Sequence, residues 1–289
     1  MQSKTVGAQG DIGHSVTPIA FSHANSFPAG TYRKLFSALG ARGLNVHAVD
    51  RFGHDPEYPV TDNWPHLVQQ LQDFVAPLAA KDGPVWLVGH SLGGFLSIML
   101  AAQAPQLARG VLLLDAPLLG GWRARALGVA KTARLVGSVS PGAISRKRRE
   151  RWATRDDALT HFRSKRAFAA WDPEVLQDYV NHGTLDDVNT GDRVLGFRRE
   201  VETAIYNTLP HHLPALLGTR PPACPVAFIG GTHSQELRQV GMALTHRVTQ
   251  GRVSMVDGSH LFPMEHPLVT AAAIDAALLN LDSVVARAP

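Results

Sequence analysis

The segment that decides the fold is Val85-Trp-Leu-Val-Gly-His-Ser-Leu-Gly-Gly-Phe95, in which an apolar run leads into a glycine-flanked serine and then into a second apolar run. The first run has the length of a buried strand, and the second continues as LGGFLSIMLAAQ, which has the length of a helix. At their junction, Gly89-His90-Ser91-Leu92-Gly93 matches G-x-S-x-G. The chain must turn so sharply there that the serine takes strained backbone angles, and the flanking glycines relieve the crowding. The segment therefore predicts a reactive hydroxyl above a sheet edge, with a glycine-rich turn carrying an inert serine as the alternative.

Short apolar runs alternate with longer amphipathic segments on both sides of this motif. The runs are VTPIAFSHA, LNVHAVD, PVWLVGH and GVLLLDAP before residue 118, then CPVAFIGG and RVSMVDGSH from residue 224 onward. Strands that are apolar throughout and separated by helices predict an α/β fold, with a mostly parallel sheet covered by helices on both faces. The residues between these two regions are basic and read as helical, without a convincing strand. We therefore expect a core of residues 1–117 and 218–289, interrupted by a helical insertion of residues 118–217.

The composition is that of an ordinary soluble globular protein: of 289 residues, 45% are hydrophobic and 18% charged, and the net charge is +4. The insertion holds 16 Lys and Arg against 11 Asp and Glu, and its densest run is RKRRERW at 146–152. We interpret that run as a solvated helix face, with nucleic-acid contact as the alternative. The single cysteine, Cys224, is expected to be a small buried residue. Neither a signal-peptide layout nor an apolar run of about 18 residues is present, so a cytoplasmic protein is expected.

The G-x-S-x-G motif between a strand and a helix, within this order of strands, resembles the α/β-hydrolase superfamily over nearly the whole chain. Residues 118–217 stand in the place of its helical cap. The resemblance implies the chain order nucleophile, acid, histidine. The expected histidine is His260 in VSMVDGSHLFPMEHP, where the last strand ends. His266 is the alternative, but MEHP reads as the start of the last helix, with Pro267 in the first turn and Glu265 serving the helix N-terminus.

The acid is missing from the strand end where the resemblance usually places it. The strand in AFIGGTHSQEL, residues 227–237, ends in two glycines, and its first carboxylate, Glu236, falls inside the next helix. Asp257 precedes His260 by three residues and is expected to shape a turn. Asp115 ends the run GVLLLDAP at the same sheet edge, where a carboxylate can hold the imidazole tautomer and stabilise the imidazolium. We therefore predict Asp115 as the acid, with a bond to turn amides as the alternative role.

The oxyanion donors and the pocket follow from the same layout. Charge that develops on a substrate oxygen needs preorganised N–H donors. We predict the main-chain N–H groups of Leu92, which follows the serine, and of Asn25, in the loop HANSFPAGTY after the first strand. Ala24 stands where members of the superfamily often carry glycine, and His23 is expected to brace this loop. The candidate pocket residues are His23, His90, His211 and His212.

These expectations converge on a serine hydrolase acting on an ester or thioester of a small to medium acyl substrate through an acyl-enzyme. No convergent ligand set has metal spacing, so neither a metal nor a cofactor is predicted. Carbon–carbon bond hydrolysis of a diketone-like substrate is one alternative. A catalytically inert binding protein on the same scaffold is another. The predicted partner is a small-molecule substrate, and no nucleic acid and no membrane is expected as a partner.

Overall fold

The computed structural model describes residues 17–121, 124, 126 and 145–287. Its centre is a six-stranded parallel sheet with the strand order β2-β1-β3-β4-β8-β9, and three further strands form a separate sheet in the order β5-β7-β6. The strands are β1 (Ile19–Ser22), β2 (Val46–Ala48), β3 (Val85–His90), β4 (Ala108–Leu114), β5 (Arg151–Trp152), β6 (Thr184–Asp186), β7 (Arg193–Leu195), β8 (Val226–Gly231) and β9 (Val253–Val256).

Helices cover both faces of the large sheet, as the apolar strands predict. The described helices are α1 (Arg33–Gly40), α2 (Pro65–Asp82), α3 (Leu92–Gln103), α4 (Arg155–Arg163), α5 (Pro173–Gly183), α6 (Arg199–Asn207), α7 (Leu213–Thr219), α8 (Gln235–Val240), α9 (Ala243–Thr249), α10 (Phe262–Glu265) and α11 (Pro267–Val285). Side chains alternate between the two faces of a strand. Leu87 accordingly packs with α2 and α3 on one face, and Val88 packs with α1 and α11 on the other.

The serine motif lies at the middle of this sheet. β3 is buried along its whole length, and α3 is buried from Leu92 to Ala102. A helix that is apolar all round belongs inside a protein rather than on its surface. The strand and the helix that flank Ser91 are therefore both held by the core, and the turn between them has no freedom to relax.

The sheet continues across the insertion. β4 and β8 pair directly in parallel, with Val111 opposite Val226, although more than a hundred residues separate them in the chain. The chain therefore leaves the sheet after β4 and returns to it at β8. The strand ends on either side of the insertion meet at one edge, which puts Asp115 next to the glycine end of β8.

The insertion differs from its prediction in containing a sheet. β5 and β6 both pair with β7 in antiparallel fashion. These strands have only two or three residues, which is too short for a period-two pattern to be seen in the sequence. Arg193 supplies part of their stability, since its guanidinium donates to Thr184 Oγ1 and to two main-chain carbonyl oxygens at the end of α5. The expectation of an insertion without strands was wrong.

The basic run at 146–152 is also not a helix face. It forms a turn that leads into β5, where Trp152 is 1% exposed. Arg148 points inward and pairs with Glu202, at 2.7 Å between Nη1 and Oε2. The predicted helix was therefore wrong, whereas the predicted exposure is confirmed for Lys147 and Arg149. Arg148 is the exception, because charge density gives no sign of a buried partner that lies 54 residues away. The segment after β8 forms two helices, α8 and α9, which are separated at Gly241, whose φ is +79°.

The last helix, α11, is the one helix of the described chain that is long and apolar enough to cross a membrane by length and composition. Its most apolar 18-residue segment has a mean hydropathy of 1.6, and 28% of that segment is buried. One face, with Ile274 and Leu278, packs in the core against the sheet. Leu268 and Leu279 on the helix are exposed. A core helix of a soluble protein passes the same test, so this property is weak support for a membrane span.

Candidate active site

The turn that carries Ser91 is strained. Ser91 has φ 51° and ψ −113°, between the end of β3 and the start of α3. A Cβ atom at Gly93 would lie 1.9 Å from the carbonyl oxygen of Ser22, and one at Gly89 would lie 2.2 Å from the carbonyl oxygen of Gly93. Only glycine fits at both positions, because the conflicting atoms are main chain. The turn around Ser91 is therefore fixed by the main chain that surrounds it.

His260 lies between Ser91 and Asp115 and contacts both of them. Its Nε2 is 3.0 Å from Ser91 Oγ, and its Nδ1 is 2.8 Å from Asp115 Oδ1. Because a carboxylate accepts and does not donate, the proton sits on Nδ1 and the Ser91 hydroxyl donates to Nε2. In this tautomer the ring can accept the serine proton. Chemically, this is the arrangement that activates a hydroxyl as a nucleophile.

Asp115 is fully buried and its carboxylate accepts three hydrogen bonds. Besides His260, the Ser234 hydroxyl donates to Oδ1 at 2.7 Å and the main-chain N–H of Gly231 donates to Oδ2 at 2.7 Å. Both donors belong to residues 227–237, the segment at the end of β8 in which the sequence has no carboxylate at the strand end. The end of β8 therefore supplies donors to a carboxylate that stands on β4, so the predicted alternative role, a bond to turn amides, occurs together with the contact to His260.

The environment of His260 raises the pKa of its imidazole. Burial is the largest influence and by itself lowers the pKa. The hydrogen bond and the charge of Asp115 oppose it, and the charges of Glu236 and Glu265 add to Asp115, so that the pKa lies above the ordinary value of 6.5. The site therefore favours an imidazolium once a proton has been taken up.

The loop that carries His260 is fixed by Glu265. The Glu265 carboxylate accepts from the main-chain N–H of Ser259 at 2.8 Å and also from the Ser259 hydroxyl. The expected role of Glu265 at the helix N-terminus was wrong, since its carboxylate turns back to the histidine loop. At the other side of this loop, a Cβ atom at Gly231 would lie 2.3 Å from the carbonyl oxygen of Ser259. The glycine end of β8 thus lets the histidine loop approach.

The other carboxylates considered from the sequence bond elsewhere. Asp257 is exposed and lies 3.1 Å from the ring of His233. Glu236 lies on α8 and receives a long 3.4 Å bond from Ser234. The alternative histidine, His266, is the residue before α11, and Pro267 occupies the first turn of that helix as the sequence indicates.

Two main-chain N–H groups, one at the start of α3 and one in the loop after β1, have no hydrogen-bond partner in the described chain. Within the part of the chain that the structure describes, the N–H groups of Leu92 and Asn25 make no hydrogen bond. The neighbouring N–H of Ala24 is occupied, because it donates to the Tyr32 hydroxyl at 3.0 Å. The side chain of Asn25 donates to the carbonyl oxygen of Glu202 at 3.1 Å, which ties this loop to α6 of the insertion.

A buried histidine joins this loop to the loop of His260. The Tyr32 hydroxyl donates to His90 Nδ1 at 2.8 Å, and His90 Nε2–H donates to the carbonyl oxygen of His260 at 2.9 Å. Burial, and next the nearby His260, lower the pKa of His90 to about 3, so the ring is neutral and keeps one donor and one acceptor. Sequence reasoning missed Tyr32, which lies 58 residues from His90 and carries no local signal.

The family match agrees with this geometry. A sequence model described as the alpha/beta hydrolase family matches residues 19–273. The chain belongs to the alpha/beta hydrolase family.

Individual relatives cover the chain to different extents. A monoglyceride lipase homolog of Monkeypox virus is 26% identical over 165 residues, which span 53% of this chain and 60% of the relative. The solved structure of E-2-(acetamidomethylene)succinate hydrolase matches with a TM-score of 0.66 at 21% identity over 91% of each chain. A thioesterase domain from the curacin biosynthetic pathway matches with a TM-score of 0.66 at 18% identity, over 91% of this chain and 92% of that one. The two structures establish the fold of this α/β hydrolase.

The histidines expected to line a pocket occupy different surroundings. His23 and His90 are both fully buried, so as pocket residues they were wrongly predicted. His23 bonds to the carbonyl oxygen of Ala24 at 2.8 Å and accepts from the N–H of Phe52 at 3.1 Å, which braces the loop after β1. His211 and His212 precede α7 and are half-buried, and their place in a pocket stays a prediction.

The described residues of this α/β hydrolase hold no cluster of three or more His, Cys, Asp or Glu side chains able to bind a metal ion. Cys224 is half-buried before β8, and burial raises its pKa to about 11. A thiol with such a pKa is a poor nucleophile near neutral pH. Of the two side chains Cys224 and Ser91, Ser91 is the one whose hydroxyl contacts a histidine that can take its proton.

Proposed function

We propose that this α/β hydrolase is a serine esterase or thioesterase that works through an acyl-enzyme. The observation that carries the proposal is the placement of His260, with Nε2 at 3.0 Å from Ser91 Oγ and Nδ1 at 2.8 Å from Asp115 Oδ1. An unassisted serine hydroxyl is a weak nucleophile, and a positioned base removes that limit.

The proposed reaction has two halves. Ser91 Oγ attacks the carbonyl carbon of the substrate while its proton passes to His260 Nε2, and Asp115 stabilises the imidazolium. The N–H groups of Leu92 and Asn25 bind the oxygen on which negative charge develops. The C–O or C–S bond then breaks, and the leaving group takes the proton from His260. In the second half, water gives a proton to His260 and attacks the acyl carbon, which releases the acid and restores Ser91.

Two further points favour ester chemistry in an active protein. The sequence relative from Monkeypox virus given above is called a monoglyceride lipase homolog, and that name describes an ester hydrolase. The alternative of an inert binding protein predicts that the contacts around His260 have decayed, yet each ring nitrogen has its partner. Carbon–carbon bond hydrolysis could use the same side chains, and it has no separate observation in its favour.

The test is active-site labelling together with turnover. The purified protein is treated with a fluorophosphonate probe and assayed with p-nitrophenyl esters of increasing acyl length and with acyl thioesters. Ser91→Ala should abolish labelling and turnover while the fold remains. Ser283→Ala, on the exposed side of α11, is the matched control and should leave both unchanged. Labelling that survives Ser91→Ala would refute the serine mechanism, whereas labelling of Ser91 without ester or thioester turnover would favour the carbon–carbon alternative.

A further inference from the structure

A cavity of about 790 Å³ is lined mainly by residues of the insertion, together with Ser26, Phe27 and Leu261 of the core. Two of its lining residues, Ser26 and Leu261, are the chain neighbours of Asn25 and His260. Part of the cavity wall is therefore formed by the same two loops that carry the proposed oxyanion donor and the proposed base. A substrate bound at Ser91 has this space available for its acyl chain or for its leaving group.

Part of the cavity lining is aromatic. Phe27, Phe162, Phe168 and Tyr206 line it, and the rings of Phe162 and Phe168 lie 5.2 Å apart. Burial, and next the charge of Glu202, raise the pKa of Tyr206 to about 12, so its phenol is neutral. Such a lining suits a hydrocarbon chain.

The outer part of the cavity has a surplus of positive charge. Arg148 is neutralised by its ion pair with Glu202, at 2.7 Å. Lys147, Arg149 and Lys165 also line the cavity and are exposed, and within the described chain none of the three has a carboxylate at ion-pair distance.

The neighbouring groups reflect this surplus. The pKa of His161, another lining residue, is lowered by burial first and then by the charges of Lys165, Arg149 and Arg148. The nearby carboxylate of Glu150 does not offset these charges, because it pairs with Arg199 at 2.6 Å. Unpaired cations around a partly closed space raise the local concentration of anions and favour their binding.

We propose that the substrate is an ester or thioester that carries an anionic group, and that Lys147, Arg149 and Lys165 bind that anion at the outer end of the cavity. The anion is a carboxylate or a phosphate, on either the acyl side or the leaving-group side of the scissile bond. This inference rests on the proposed function, since it assigns the substrate class of the same site.

The experiment compares substrates that are matched except for charge. Values of kcat/KM are measured for monomethyl adipate against methyl hexanoate, and for hexanoyl-coenzyme A against hexanoyl-N-acetylcysteamine. The first pair tests a carboxylate on the acyl side, and the second tests phosphates on the leaving group. We expect the anionic member of at least one pair to be preferred by about tenfold, since two or three exposed ion pairs each contribute a severalfold effect. The preference should shrink at high salt.

Charge reversal then locates the anion site. In the double variant Lys147→Glu/Lys165→Glu, the ratio of kcat/KM between the anionic and the neutral substrate should fall by about tenfold. The control Lys81→Glu/Arg220→Glu makes the same change of charge at two exposed residues that do not line the cavity, and it should keep the preference. Circular dichroism checks that both variants fold. Turnover without a preference in either pair, or a preference that survives Lys147→Glu/Lys165→Glu, would overturn this inference alone. A protein that hydrolyses no ester or thioester would overturn the proposed function and this inference with it.

Discussion

Replacing Asp115 by asparagine tests the role proposed for this carboxylate. Asparagine has the same shape but only one acceptor oxygen, and its other atom is an NH₂ donor. The Gly231 N–H, which points at Oδ2 from 2.7 Å, is a fixed main-chain donor and must be met by the oxygen. The NH₂ group then faces His260 Nδ1 and the Ser234 hydroxyl, whose donor bonds to Oδ1 are 2.8 and 2.7 Å long in the native protein.

This orientation forces the wrong imidazole tautomer. The Ser234 hydroxyl can rotate to accept, but His260 Nδ1 can accept from the amide only if the ring proton moves to Nε2. Nε2 then donates to Ser91 and can no longer take its proton. The opposite amide orientation would leave two donors facing each other at Gly231, at a cost of about 1–3 kcal/mol.

The expected loss in kcat follows from two terms. The unfavourable tautomer contributes about 1–3 kcal/mol, and the lost charge-assisted bond to the imidazolium contributes a further 1.5–3 kcal/mol, roughly. Together they correspond to a decrease of about 10²–10⁴-fold, whose upper end is the loss known for the same change in a Ser-His-Asp protease.

The assay combines ester turnover, thermal unfolding and a pH profile. With the charge of Asp115 gone and burial retained, the pKa of His260 should fall, and the acid limb of the kcat/KM profile should move to lower pH. Glu236→Gln is the control, because it removes a nearby charge without touching the His260 ring, and it should change kcat by less than about threefold. An Asp115→Asn variant that retains activity within about threefold of the native protein would refute the assignment.

Three further predictions concern the same loops. Because the pKa of His260 is raised above 6.5, its pairing with Asp115 stabilises the fold fully below pH 6.5 and less as the pH rises through the raised pKa. Hydrolytic activity should rise over the same pH range. Urea unfolding and turnover measured at several pH values check the two trends, and His260→Gln should remove the trend in stability. Gly231→Ala should lower kcat at least about tenfold by displacing the histidine loop, since its Cβ would lie 2.3 Å from Ser259 O, whereas Gly218→Ala, with nothing within 4 Å, should not. His90→Phe removes the hydrogen-bond partner of the Tyr32 hydroxyl and of the His260 carbonyl oxygen. It should lower the free energy of unfolding, measured in urea, by about 1–3 kcal/mol for each of these two groups that is left without a partner.

The parts of the site that could be read from the sequence are those with local signals. Ser91 follows from the sharp turn between a strand and a helix. His260 and Asp115 were predicted from the chain order that the resemblance to the α/β-hydrolase superfamily implies, together with the rule that parallel strands end at one edge of a sheet. The structure brings these three side chains within hydrogen-bond distance. In contrast, Ser234 reads as an ordinary helix start, and nothing in the sequence indicates that its hydroxyl donates to a carboxylate 119 residues earlier.

The same limit applies to the fold. Long apolar elements such as α3 were predictable, because burial on all sides leaves a continuous pattern. The strands of the insertion have two or three residues, and the interactions that hold them, such as that between Arg193 and Thr184, connect polar side chains that look like surface residues in the sequence. Reading charge as exposure led to the wrong prediction for Arg148 for the same reason.

The backbone of Ser91 has a consequence for any attempt to make this protein more heat-resistant. Its φ of 51° is a conformation that glycine adopts freely and that costs other residues about 1–3 kcal/mol. Ser91→Gly should therefore melt at a higher temperature than Ser91→Ala, which keeps the strain, although both are inactive. A library screened for heat tolerance alone would gain by accepting glycine at this position, so such a screen must also require turnover. Under the proposed function, serine at this position is explained by its hydroxyl, which glycine lacks and which the proposed reaction needs for the attack on the substrate.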